Sequence, residues 1–146
     1  MGNRAVIAFK TDELSSIPES YRPAIYLHWN GSRDSIEAFL QSARDAGIRS
    51  GAYGVARLTQ LIANYIGGTL SIGVTCYCLT DQDNNDNGVY WIDDGFNIVG
   101  REYHQGADDN INLFDPDFKV NPDLAPLVQK VKAANLNTGL ALDNKR

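Results

Sequence analysis

Two helical patterns stand back to back near the middle of this chain, with no strand-like run between them. In Ser35–Ala46, the residues Ile36, Phe39, Leu40 and Ala43 fall at i, i+3, i+4 and i+7, which is one face of a helix. Tyr53–Ile66 repeats the pattern with Val55, Leu58, Leu61, Ile62 and Tyr65. Gly47 and the pair Gly67–Gly68 follow the two patterns, as expected where a helix ends in left-handed backbone. A chain that sets helix beside helix and collects its strands on either side does not build the alternating β-α units of a doubly wound sheet.

The flanking segments carry strand character. Arg4–Phe9 is a short apolar run, and Ile25–Trp29 is β-branched and aromatic; Lys10–Arg22 between them, with its serines and Pro18, reads as a loop. Thr69–Thr80, Val89–Ile92 and Phe96–Tyr103 follow the helices. Asn87–Gly88 and Asp94–Gly95 are hairpin signals, so these three segments are expected to form an antiparallel meander. Gly106–Lys119 reads as a polar loop. Asn121 and Pro122 open a last helix lined by Leu124, Leu127, Val128 and Val131. The order β-β-α-α-β-β-β-α predicts an α+β fold, a mostly antiparallel sheet of about five strands against two or three helices. Residues 1–136 are expected to form a single globular domain and residues 137–146 a flexible C-terminal tail.

Composition bounds the function. A chain of 146 residues, 43% hydrophobic, has enough apolar surface for a core without covalent staples. Its formal net charge of −5 argues against general nucleic-acid binding, which rests on Lys and Arg meeting phosphates. Cys76 and Cys78 are the two cysteines. On a strand they share a face, and a bond between them would be strained. Unpaired thiols suit a reducing cytoplasm, and with the widely spaced His28 and His104 they give no four-ligand zinc pattern. Neither an apolar signal core nor a membrane-length apolar run is present, so a cytoplasmic protein without membrane contact is expected.

Ala24–Gly47 places a strand, a polar loop and a helix in succession, a layout in which unpaired helix N–H groups can receive an anion. The loop Asn30, Gly31, Ser32, Arg33, Asp34, Ser35 resembles the pyrophosphate loop S-G-G-x-D-S of the ATP-pyrophosphatase and sulfate-reductase superfamily. Asn30 replaces the first Ser and Ser32 the second Gly. The resemblance implies nucleotide binding at these six residues. The competing reading is a capped helix start, with Asp34 as cap and Glu37 completing a capping box. Asp83, Asn85, Asn87, the Val89 carbonyl and Asp94 follow the spacing of a calcium loop, in which Asp94 stands where Glu is usual. A solvated turn closed by Asn87–Gly88 accounts for the same residues, and no metal or cofactor is assigned to the chain.

His28 is expected on a strand, half-buried and hydrogen-bonded, and His104 at an exposed strand end. No nucleophile, base and orienting group can be read out together, which points away from an enzyme. Arg33, Arg57 and Arg101 would bind an anion if the fold brought them together. The aromatic set Tyr53, Tyr65, Tyr77, Tyr90, Trp91, Phe96 and Tyr103 is expected to be mostly core, with some members left for an interface.

The pieces MGNRAVI, YLHWNGSRDSIEAFL, YGVARLTQLIANYIGGTLSIGV and DNNDNGVYWI resemble a family of small bacterial, phage and plasmid proteins to which no activity is assigned. The resemblance runs over about the first hundred residues. It implies an accessory protein of a phage or mobile element; with no catalytic constellation in the sequence, a non-enzymatic binder of a host protein or protein complex is expected, an anti-defence inhibitor by analogy with small acidic phage proteins. A nucleotide-binding protein, enzyme or sponge, is the alternative, and the oligomeric state is open.

Overall fold

The two most continuous apolar runs, AVIAF and VYWI, lie side by side at the centre of the sheet. They form β1 (Ala5–Phe9) and β4 (Val89–Ile92), and every residue of both is buried. Strands covered on both faces read as unbroken apolar runs. The structure, a computed structural model, describes residues 2–67, 71–104, 110–112 and 124–136, with the side chains of 103–104 and 110–112 outside that description.

The remaining strands are β2 (Pro23–Leu27), β3 (Ile72–Cys76), β5 (Ile98–His104) and the short β6 (Asn110–Asn112). They form a six-stranded sheet in the order β3-β2-β1-β4-β5-β6. All neighbours are antiparallel except β1 and β4, which pair in parallel from Val6 opposite Val89 to Phe9 opposite Ile92. The fold is therefore α+β with a mostly antiparallel sheet. β6 falls in the segment expected to be loop.

The expected meander does not form. β3 pairs with β2 at the far edge, so β2 and β1 separate it from β4. The real hairpin joins β4 to β5, around a turn in which the Asp93 carboxylate accepts the N–H groups of Gly95 and Asn97, each at 2.9 Å. β1 needs apolar neighbours on both sides, and β4 supplies one that β3, with Gly73 and Val74 exposed, cannot.

Three helices cover one face: α1 (Arg33–Asp45), α2 (Gly51–Ile66) and α3 (Leu124–Ala134). Ile36, Phe39, Leu40 and Ala43 of α1 and Leu58, Leu61 and Ile62 of α2 pack on Ile7, Phe9, Ile25, Leu27 and Tyr90 of the sheet. Gly47 follows α1 with φ of 68°, a backbone conformation open to glycine at no steric cost. Asn135 ties the end of α3 to α2, donating to the Leu61 carbonyl at 3.2 Å and accepting from Asn64 at 2.8 Å. Lys132 reaches Asp45 of α1 at 2.6 Å. Asn121 and Pro122, and the expected tail at 137–146, lie outside the described residues.

Alternation puts Val6, Ala8, Ala24, Val89 and Trp91 on the opposite face. Tyr77, on a 3₁₀ turn (Tyr77–Leu79) that follows β3, folds over this face and meets the Trp91 ring at 4.9 Å between centres, tilted by 54°.

Candidate functional site

The loop Asn30–Ser35 is a junction of backbone, built against the first strand. Asn30 takes a left-handed φ of 62°. Gly31 is buried, and its N–H donates to the Asn3 carbonyl at 2.8 Å. The Tyr90 hydroxyl donates to the Gly31 carbonyl at 2.8 Å. A Cβ on Gly31 would lie 2.6 Å from the Asn3 oxygen and 2.7 Å from the Ala5 Cβ. The glycine is thus required by a close approach to the protein's own chain, the role that the loop resemblance reserved for phosphate. Its N–H group is turned inward and is not offered to an anion.

The helix start also differs from the expected capping box. α1 begins at Arg33, two residues early; Ser32 precedes the first turn without a capping bond to a helix N–H, and its hydroxyl donates to Ser35 Oγ at 3.4 Å. Asp34 sits inside the first turn, where a carboxylate meets the positive end of the helix dipole. Glu37 pairs with Arg33 at 3.0 Å, one turn back along the same helix. A propensity pattern places helix ends to within a residue or two, and here the packed Gly31 stands just ahead of the helix start.

The Asp83–Asp94 segment is organised by a residue outside the calcium-loop spacing. Asn84 is 1% exposed. Its side-chain oxygen accepts the N–H groups of Asp86, Asn87 and Gly88 at 3.1, 3.2 and 3.1 Å. Its side-chain nitrogen donates to the carbonyls of Asp81 and Gly88 at 3.0 and 3.2 Å. Asn87 turns its amide to Asn3 and to the Arg4 carbonyl. Asp94 lies beyond β4, accepting the Asp12 N–H at 3.2 Å. Two of the calcium-loop positions, Asn87 and Asp94, are thus engaged by other partners. Among the described residues, no three or more His, Cys, Asp and Glu side chains gather for a metal.

Asp86 clamps this loop to the start of β1. One carboxylate oxygen accepts both the Arg4 backbone N–H at 2.9 Å and the Arg4 Nε at 2.8 Å. These bonds hold the Asp86 carboxyl below the usual carboxylate range, the guanidinium bond first. A carboxylate with a lowered folded pKa stabilises the fold above its unfolded value, near 4, and ceases to as pH falls through the folded value. The stability gap between the wild type and Arg4→Gln is expected to be full at neutral pH and to narrow below about pH 4. Urea midpoints across that range measure it, and a gap independent of pH would remove the role given to Asp86.

The other candidates are placed apart. His28 follows β2, half-buried, with Nδ1 at 3.1 Å from the Tyr26 hydroxyl. The Tyr26 phenol is pushed up by burial and by Asp81. Arg33, Arg57 and Arg101 sit on α1, α2 and β5, and each contacts its own surroundings: Glu37, Gln60, and the Tyr90 ring with the Asn87 carbonyl. The side chains of His104 and Tyr103 lie outside the described residues. Of the aromatic set, Tyr77, Tyr90, Trp91 and Phe96 are buried, while Tyr53 is exposed with Arg49 over its ring.

Sequence reasoning missed one surface. A 3₁₀ turn at Glu19–Tyr21 packs beside the turn at Tyr77–Leu79, joined by the Tyr77 N–H donating to the Arg22 carbonyl at 2.7 Å. The two turns leave Tyr21 67% and Leu79 72% exposed. Exposed Glu19 and Ser20 stand beside Tyr21 on the first turn, and exposed Cys78 stands beside Leu79 on the second. The first turn lay in a segment read as featureless loop, so nothing local announced the pairing.

Comparison with protein-family models, curated proteins and solved structures finds no match. Among the described residues, no helix is long and apolar enough to cross a membrane.

Proposed function

We propose that this is a non-enzymatic accessory protein of a phage or other mobile element, which binds a host protein and modulates it. Anti-defence inhibition is the role suggested by analogy with small acidic phage proteins. The observation that carries the reading is the pairing of exposed Tyr21 and Leu79 on adjoining turns at an open sheet edge. Large apolar side chains held at the surface by a rigid turn, within a polar border, mark protein contacts. The net charge of −5 favours a partner whose apolar contact surface is rimmed by Lys and Arg.

The test is affinity for a host protein first captured on the wild type and then purified. Tyr21→Ala with Leu79→Ala is expected to weaken that complex by about tenfold or more, as for central interface anchors. Trp29→Ala, at the other end of β2 from Tyr21, is expected to leave it unchanged. Equal binding by wild type and the double variant would remove the rim. The nucleotide reading predicts instead that a nucleotide raises the melting temperature and that variants at Arg33 and Asp34 abolish the rise. The inward turn of the Gly31 N–H speaks against that outcome.

A further inference from the structure

Cys76 ends β3 and Cys78 stands inside the 3₁₀ turn that follows, so the chain bends between them. Their sulfurs are 3.5 Å apart. A 3₁₀ residue advances the chain by about 2.0 Å, against about 3.3 Å in a strand. Tyr77 therefore shortens the path between the two residues relative to the strand geometry expected from the sequence. The bend is held at its middle residue. Tyr77 is buried against Trp91, and its hydroxyl meets Glu102 at 3.3 Å. Its carbonyl accepts from Thr80 Oγ1 at 2.6 Å and from Gln82 Nε2 at 2.8 Å. Cys78 is exposed and Cys76 half-buried, so a reagent meets the Cys78 sulfur more readily, with the Cys76 sulfur 3.5 Å away.

We propose that Cys76 and Cys78 form a redox-active dithiol, oxidised to an intrachain disulfide by low-molecular-weight disulfides such as oxidised glutathione. The Cys78 thiolate attacks one sulfur of the reagent, forming a mixed disulfide and expelling one glutathione thiolate. The Cys76 thiolate then attacks the Cys78 sulfur and expels the second. Two electrons pass from the protein to the reagent, and the two protons released by the cysteines end on two molecules of glutathione. Closing the bond brings the sulfurs to about 2.05 Å while Tyr77 keeps its anchor. The hydrogen bond to Cys76 pushes the Cys78 thiol up, so the first attack gains rate as pH rises past the ordinary cysteine range. This site is independent of whether the neighbouring rim binds a partner.

The experiment is intact-mass spectrometry after equilibration of the folded protein with defined mixtures of reduced and oxidised glutathione. The wild type is expected to lose two hydrogens, to carry no glutathione, and to return to the dithiol with dithiothreitol. Peptide mapping should place the bond between Cys76 and Cys78. Cys76→Ser is expected to stop at a glutathione adduct on Cys78. A wild type that stays a dithiol in excess oxidised glutathione, keeps a stable glutathione adduct, or links chain to chain would overturn the proposal. Those readings are taken on the wild type and do not depend on a variant folding.

Discussion

Gly31→Ala is expected to destabilise the protein by about 2–3 kcal/mol, the cost of forcing an extra carbon into a packed site. The added Cβ meets the Asn3 oxygen at 2.6 Å, the Ala5 Cβ at 2.7 Å and the Arg4 carbonyl carbon at 2.8 Å. Two of those three atoms are backbone, so no side-chain rotation relieves the clash. To make room, the loop must lift from β1, which breaks the Gly31 N–H bond to Asn3 and draws the Gly31 carbonyl away from the Tyr90 hydroxyl. The first bond joins the start of α1 to the segment that leads into β1 and the second to Tyr90 of β4, so the loss reaches the core. Chemical unfolding of the unliganded protein measures it. The outcome separates two accounts of one glycine. If Gly31 served a bound anion, alanine would spare the unliganded fold and weaken only the ligand. Wild-type stability in Gly31→Ala would therefore sink the packing account.

Asn84→Ala is expected to cost about 3 kcal/mol, at the upper end for a buried hydrogen-bonding side chain. One amide serves five backbone groups: three N–H donors of Asp86, Asn87 and Gly88, and the carbonyls of Asp81 and Gly88. Alanine leaves them without that partner at a site where Asn84 itself is 1% exposed. The same loop carries Asp86, whose bonds to Arg4 set the loop against the start of β1, and β4 begins directly after it at Val89. Loosening the loop therefore weakens the parallel pairing of β1 with β4. Urea unfolding tests the figure, and a loss under 1 kcal/mol would show that water replaces the amide. Calcium is expected to leave the melting temperature of the wild type unchanged, because Asn87 and Asp94 face other partners.

Local patterns carried the helices a long way. Ile36, Phe39, Leu40 and Ala43, named from spacing alone, all face the sheet, and so do Val55, Leu58, Leu61 and Ile62. Helical periodicity is a property of neighbouring residues, so it is visible without knowing the fold. The strands at Val89–Ile92 and after Phe96 were legible for the same reason. Their partners were not. Asn87–Gly88 carries a hairpin signature, yet it closes a turn centred on Asn84, because Asp86 and Asn87 bind residues more than eighty positions away. The candidate loop divides in the same manner. Its strand-loop-helix layout was readable, whereas the atoms that approach Gly31 come from Asn3, Arg4 and Ala5 at the entry to β1 and could not be inferred from six residues.

The sequence by itself determined the α+β class, the two central helices and their buried faces, because periodicity and turn residues act over a few positions. Only the tertiary structure decided that β1 and β4 pair in parallel, and that Gly31 serves packing. It also decided that Tyr21 and Leu79 share a rim and that the two cysteine sulfurs lie within reach of each other. Each of these depends on contacts between segments distant in the chain, or on a bend that such contacts hold. No local propensity encodes which distant partner a strand edge, a glycine or a turn will meet.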